Sequence, residues 1–226
     1  MKKTEISLFS ANKKLSDAID NGSMINLAQA LTQGADIHHK DIGGWTWLMR
    51  AVEKNKPNIL SALLKAGAGI DACNQRGSTG VMICVENGRV ECLDLLIRNG
   101  ADLNATNQDG RSALIKAAIN KETVCGKMLL AAGANPNIID LNKNTAYLVT
   151  AQKGLTEFML ALFEAGADIG ALNFQGVNAA RLARVNRELG TLALAQALDL
   201  SRSEVAALRA AAPSPIRAGA APSRRI

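Results

Sequence analysis

Residues 87–118 read NGRVECLDLLIRNGADLNATNQDGRSALIKAA, and this stretch decides the fold. Asn87-Gly88 is turn chemistry, and it leads into an amphipathic run with Val90, Cys92, Leu93, Leu95 and Leu96 at helical spacing. The run stops at Gly100-Ala101, where glycine can take the left-handed conformation that closes a helix. Asn107 and Gly110 then mark a turn, Ser112 is a helix N-cap, and Leu114, Ile115, Ala117 and Ala118 begin another helix. The unit is therefore turn, short helix, tight turn, longer helix, loop.

That unit recurs. Gly-Ala pairs at Gly34, Gly67, Gly100, Gly133 and Gly166 are spaced by 33 residues without slippage. A fixed period in this range marks stacked repeats, none of which buries both of its helices alone. Aligned on these pairs, Gly44, Gly77, Gly110, Lys143 and Gly176 form one column, and Thr46, Thr79, Ser112, Thr145 and Asn178 form a capping column. Asp41, Asn74, Asn107, Asp140 and Asn173 stand three residues before the glycine column, as turn formers. Four full repeats start near residues 44, 77, 110 and 143. Residues 15–33 and 176–200 match only in part, as capping repeats do.

Composition fits such an array. Of 226 residues 48% are hydrophobic and only 3% aromatic, so the core is built from small and aliphatic side chains. The net charge of +6 sits at the ends: +3 in residues 1–14, +4 in residues 201–226 and −1 between them. The expected division is a basic N-terminal segment, 1–14, a repeat domain, 15–200, and a basic tail, 201–226. The Pro, Gly, Ala and Ser of that tail cannot bury enough apolar surface to order. The sequence shows no signal-peptide core and no apolar run long enough to span a membrane, which leads to the expectation of a cytoplasmic protein. Cys73, Cys84, Cys92 and Cys125 lack metal-ligand spacing and read as buried, reduced thiols.

The segments GADLNATNQDGRSALIKAA (100–118) and NGRVECLDLLIRNGADLN (87–104) resemble the ankyrin repeat, and the resemblance covers about residues 11–200. It implies an all-α ankyrin-repeat solenoid of antiparallel helix pairs joined by β-hairpin-like loops. It also implies a protein-binding module that works through its hairpin tips and inner-helix face. The Pro and His of the family's TPLH helix start are missing: the copies read TWLM, TGVM, SALI, TAYL and NAAR. Apolar contact replaces a side-chain hydrogen-bond network there, so stability should be less uniform along the array.

No nucleophile elbow, phosphate-cradling glycine loop or zinc-protease motif occurs, so the sequence reads as non-catalytic, with neither cofactor nor metal. His38-His39 is a loop pair without a third histidine to complete a metal site. The positions that the scaffold does not need are the hairpin tips and the exposed face of each first helix. Among these, Trp45, Arg76, Arg111, Ile139, Leu141, Leu172 and Phe174 are the candidate partner-binding residues. Ile139, Leu141, Leu172, Phe174 and Val177 should form one apolar edge, which marks an interaction site unless the C-terminal helix or tail covers it or its members pack among themselves. Trp45 is a possible anchor and Trp47 a core residue. Arg50, Glu53, Ile83, Glu86, Lys116, Ile119, Val149 and Gln152 should line a groove on the first-helix face.

The expected partner is another protein, met by a monomer acting as adaptor, scaffold or inhibitor. One alternative is a nucleic-acid or acidic-membrane tether driven by the basic termini. Phosphate binding favours clustered cations with stacking aromatics, and the spaced arginines of the tail have none. Another alternative is an effector delivered into a second cell.

Overall fold

The computed structural model of the protein describes residues 2–185. The 201–226 tail and the 186–200 part of the C-terminal cap lie outside the described residues. Eleven helices follow one another among those described. Inner helices α3 (Trp47–Glu53), α5 (Gly80–Glu86), α7 (Ala113–Asn120), α9 (Ala146–Lys153) and α11 (Ala179–Val185) alternate with outer ones. The outer helices are α2 (Met24–Thr32), α4 (Pro57–Lys65), α6 (Val90–Arg98), α8 (Thr123–Ala131) and α10 (Thr156–Glu164). Inner helices pack on inner helices and outer on outer along the chain, so the core is a continuous strip. The all-α solenoid implied by the resemblance is the observed fold.

The N-terminal end differs from the expected division. Helix α1 (Lys2–Asn21) runs through the boundary placed at residue 14 and takes the inner-helix slot before α3. Its buried stripe of Ala11, Leu15, Ala18 and Ile19 begins ahead of that boundary, while Lys13 and Lys14 stay exposed on the other face. The Asn12 side-chain oxygen accepts from the Asp36 amide at 2.9 Å, tying this helix to the first loop.

The turn columns are explained by backbone hydrogen bonding. Each Asp or Asn side-chain oxygen accepts two amides of its own hairpin. Asp41 takes Gly43 and Trp45 at 2.8 and 2.9 Å, Asn107 takes Asp109 and Arg111 at 3.0 and 2.9 Å, and Asn173 takes Gln175 and Val177 at 3.0 Å each. An aliphatic residue there would leave both amides without that partner. Consecutive hairpins are then joined backbone to backbone. Gln75, Gln108, Leu141 and Phe174 donate their amides to the carbonyls of Gly43, Arg76, Asp109 and Asn142 at 2.8–3.1 Å. Gly44 turns at φ +76°, and a side chain there would stand 2.8 Å from the Gln75 nitrogen, so glycine lets the next hairpin close in. The hairpins carry isolated antiparallel bridges, Lys40 to Thr46, Cys73 to Thr79 and Thr106 to Ser112.

Thr46, Ser112, Thr145 and Asn178 cap their helices as expected, each accepting an amide three residues on at 3.0–3.4 Å. Thr79 is the correction: its buried hydroxyl makes no capping bond and has no partner among the described residues. The cysteines also divide. Cys84, Cys92 and Cys125 are buried as expected, but Cys73 is exposed because it stands on a hairpin arm rather than in a helix.

Candidate interaction groove

Three of the seven candidate residues meet in one place. Trp45, Arg76 and Arg111 line a groove of about 850 Å³ between the hairpin tips and the inner helices, floored by Glu86 of α5 and Lys116 of α7. Asn74, Gln75, Asn107 and Gln108 supply its polar wall. The side-chain amides of Gln75 and Gln108 reach back one repeat, to the carbonyls of Ile42 and Gln75 at 2.6 and 2.7 Å. These two tips are therefore committed to holding the wall in shape.

Trp45 is half-buried, and the Arg50 guanidinium lies over its ring at 4.9 Å from the centroid. Arg50 is itself fixed by Asp41 at 2.5 Å and Glu53 at 3.1 Å. Burial pushes the Asp41 carboxyl up, but hydrogen bonds from Arg50, Trp45 and Gly43 outweigh it and hold the group below the usual aspartate range. The Arg50 guanidinium is held above its ordinary value: burial lowers it, and the Asp41 and Glu53 hydrogen bonds more than compensate. Trp45 thus presents a supported ring, with little rotamer freedom left to lose on contact.

The cations of the groove differ in their state. Lys116 is buried and paired with Glu86 of the preceding repeat. Arg111 has Asp109 at 3.4 Å and Asp140 at 3.8 Å, while its Nε is buried without a hydrogen bond. Arg76 is exposed, and no carboxylate among the described residues reaches its guanidinium.

The four apolar candidates do not join this groove. Leu141 and Phe174 project from the tips of their hairpins, 74% and 77% exposed. Ile139 and Leu172, also exposed, stand on the ascending hairpin arms and share a shallow hollow of about 250 Å³ with Asn137, Lys143 and Asp168. Phe174 lines a different hollow, of about 340 Å³, with Asn142, Asn144, Gln152 and Gln175. The edge expected as one patch is therefore split between an arm face and a tip face, because tip and arm residues alternate around the turn. Val177 is half-buried.

Sequence reasoning misplaced several neighbours. Ile83 and Val149 are core residues rather than groove lining, since the inner helices are buried over most of their circumference. Trp47 is only half-buried: its Nε1 donates to the Asp36 carbonyl at 2.9 Å and its ring stacks on His39 at 5.4 Å. The cross-repeat pair Lys116–Glu86 was missed as a pair, although its members lie 30 residues apart, close to one period. Ile42, 96% exposed at the first tip, completes the tip column that Leu141 and Phe174 continue. Among the described residues no group of three metal-ligating side chains occurs, and no helix is long and apolar enough to cross a membrane.

Comparison with known proteins fits this geometry. The family model for ankyrin repeats, in three copies, matches residues 15–107 and again residues 81–173. No curated protein matches the chain. Proteins with these repeats generally serve as protein–protein interaction modules, and the stacked hairpins and helix pairs described above are their architecture. The chain belongs to the ankyrin repeat family.

Proposed function

We propose that this protein binds a partner protein in the groove between its hairpin tips and inner helices, without catalysis, as an adaptor, scaffold or inhibitor. The observation that carries the proposal is the convergence of Trp45, Arg76 and Arg111 on one groove built by three consecutive hairpins. A supported aromatic ring beside an arginine is the composition of a binding hot spot. The walls are held by backbone hydrogen bonds rather than by the ligand, so docking loses little conformational entropy.

A nuclease-treated pull-down from native lysate, read by mass spectrometry, tests this. Wild type is compared with Trp45→Ala/Arg76→Glu, with Leu141→Glu/Phe174→Glu, and with Arg98→Glu on the outer helix α6 as a control. Circular dichroism first verifies that all four are folded. A partner kept by wild type and Arg98→Glu and lost by the groove variant is the expected result. Retention of the same partner by the groove variant would refute the proposal. Loss of every partner on nuclease treatment would favour the nucleic-acid tether instead.

A further inference from the structure

The hairpin series carries two separate and chemically different sites, the groove and the hollow beside Phe174, and together they constrain the partner. In the groove Arg111 and Lys116 already have carboxylate neighbours, which leaves Arg76 as its cation with an unmet charge among the described residues. The hollow around Phe174 is lined mostly by amides, with Leu182, and no charged side chain lines it among the described residues. We infer, building on the interaction-module proposal, that an extended partner segment runs from the groove to the Phe174 hollow, carrying an acidic side chain for Arg76 and an apolar or aromatic one for Phe174.

The array also sets the distance between the two. Arg76 stands in hairpin 74–78 and Phe174 in hairpin 173–177, three steps along the hydrogen-bonded hairpin series. Stacked helices sit about 8–10 Å apart, so three steps span roughly 24–30 Å. An extended chain advances about 3.3 Å per residue, which separates the acidic and apolar positions by about seven to nine residues. The tips between them are Gln108 and Leu141. Gln108 is occupied in bonding its neighbour, so the intervening partner residues are weakly constrained there.

A phage-displayed library of random 16-residue peptides, panned on wild type and counter-selected on Trp45→Ala/Arg76→Glu, tests this directly on the purified chain. The expected result is enrichment of Asp or Glu separated by about seven to nine residues from Phe, Trp or Leu. Fluorescence anisotropy on the enriched peptides should then show about tenfold weaker binding or more for Arg76→Glu, with Arg76→Lys recovering part of it. Phe174→Ala should weaken the same peptides while leaving their preference for an acidic residue intact. Peptides that depend on the groove but show no acidic–apolar spacing would overturn this inference and leave the groove proposal standing. Peptides that bind wild type and the counter-selected variant equally, or no enrichment at all, would overturn both.

Discussion

Gly126 lies in α8, where the equivalent positions of the other outer helices hold Leu27, Leu60, Leu93 and Met159, all buried. The space it vacates is filled from the next repeat. Phe158 of α10 is fully buried, at a position where its counterparts are Asn26, Ile59, Cys92 and Cys125. A Cβ added at residue 126 would stand 2.5 and 2.6 Å from two ring carbons of Phe158, and closer still to Cζ. Ordinary carbon–carbon contact is about 3.5–4.0 Å, so the ring would have to retreat by more than about 1 Å into a packed core. Overpacking of this kind costs about 1–3 kcal/mol, whereas Gly→Ala inside a helix gains about 1 kcal/mol. Gly126→Ala should therefore destabilise by up to about 2 kcal/mol net. Phe158→Leu removes the clash at the cost of a cavity, and in its presence Gly126→Ala should be neutral or stabilising by up to about 1 kcal/mol. Urea denaturation of the four proteins in the double-mutant cycle measures the coupling, expected to equal the relieved overpacking cost of about 1–3 kcal/mol. Stabilisation by Gly126→Ala alone, or additivity of the two changes, would refute the reasoning.

Two further outcomes can be measured with the same preparations. Burial pushes the thiols of Cys84, Cys92 and Cys125 up, Cys92 to about 11, while Cys73 is exposed; one thiol per chain should react quickly with Ellman's reagent and the other three only on unfolding. Asp41 is held below its ordinary value of 3.8, so its ion pair with Arg50 stabilises the first hairpin above that pH and is lost as pH falls through the lower, folded value. The fluorescence of Trp45 and Trp47, the chain's two tryptophans, should report a local acid transition below about pH 4 that is smaller in Asp41→Asn.

The scaffold was legible in the sequence because its demands recur on the backbone. A side-chain oxygen that accepts two amides restricts a column to Asp or Asn, and a positive φ against a neighbouring hairpin restricts another to glycine, Lys143 being the departure. The convergence of Trp45, Arg76 and Arg111 was partly legible, since equivalent tip slots stack. The burial of Ile83 and Val149 was not, because an inner helix of 7 or 8 residues exposes too little surface for its periodicity to show which face is free. The exchange of bulk between Gly126 and Phe158 also escaped, because compensation between repeats is a property of a pair of columns. Trp47 misled for a related reason: its indole nitrogen needs an acceptor, and Asp36 supplies one at the margin of the core.

The backbone hydrogen bonds that join each hairpin to the next have a mechanical consequence. Each helix pair packs chiefly on its immediate neighbours, so distant repeats communicate only through the units between them, and each unit can open on its own account. A ligand clamped from Trp45 to Phe174 would act as a splint, making repeats that never touch open and close together. Occupancy would then register as a sharper and later melting transition, with the largest gain in the least stable unit.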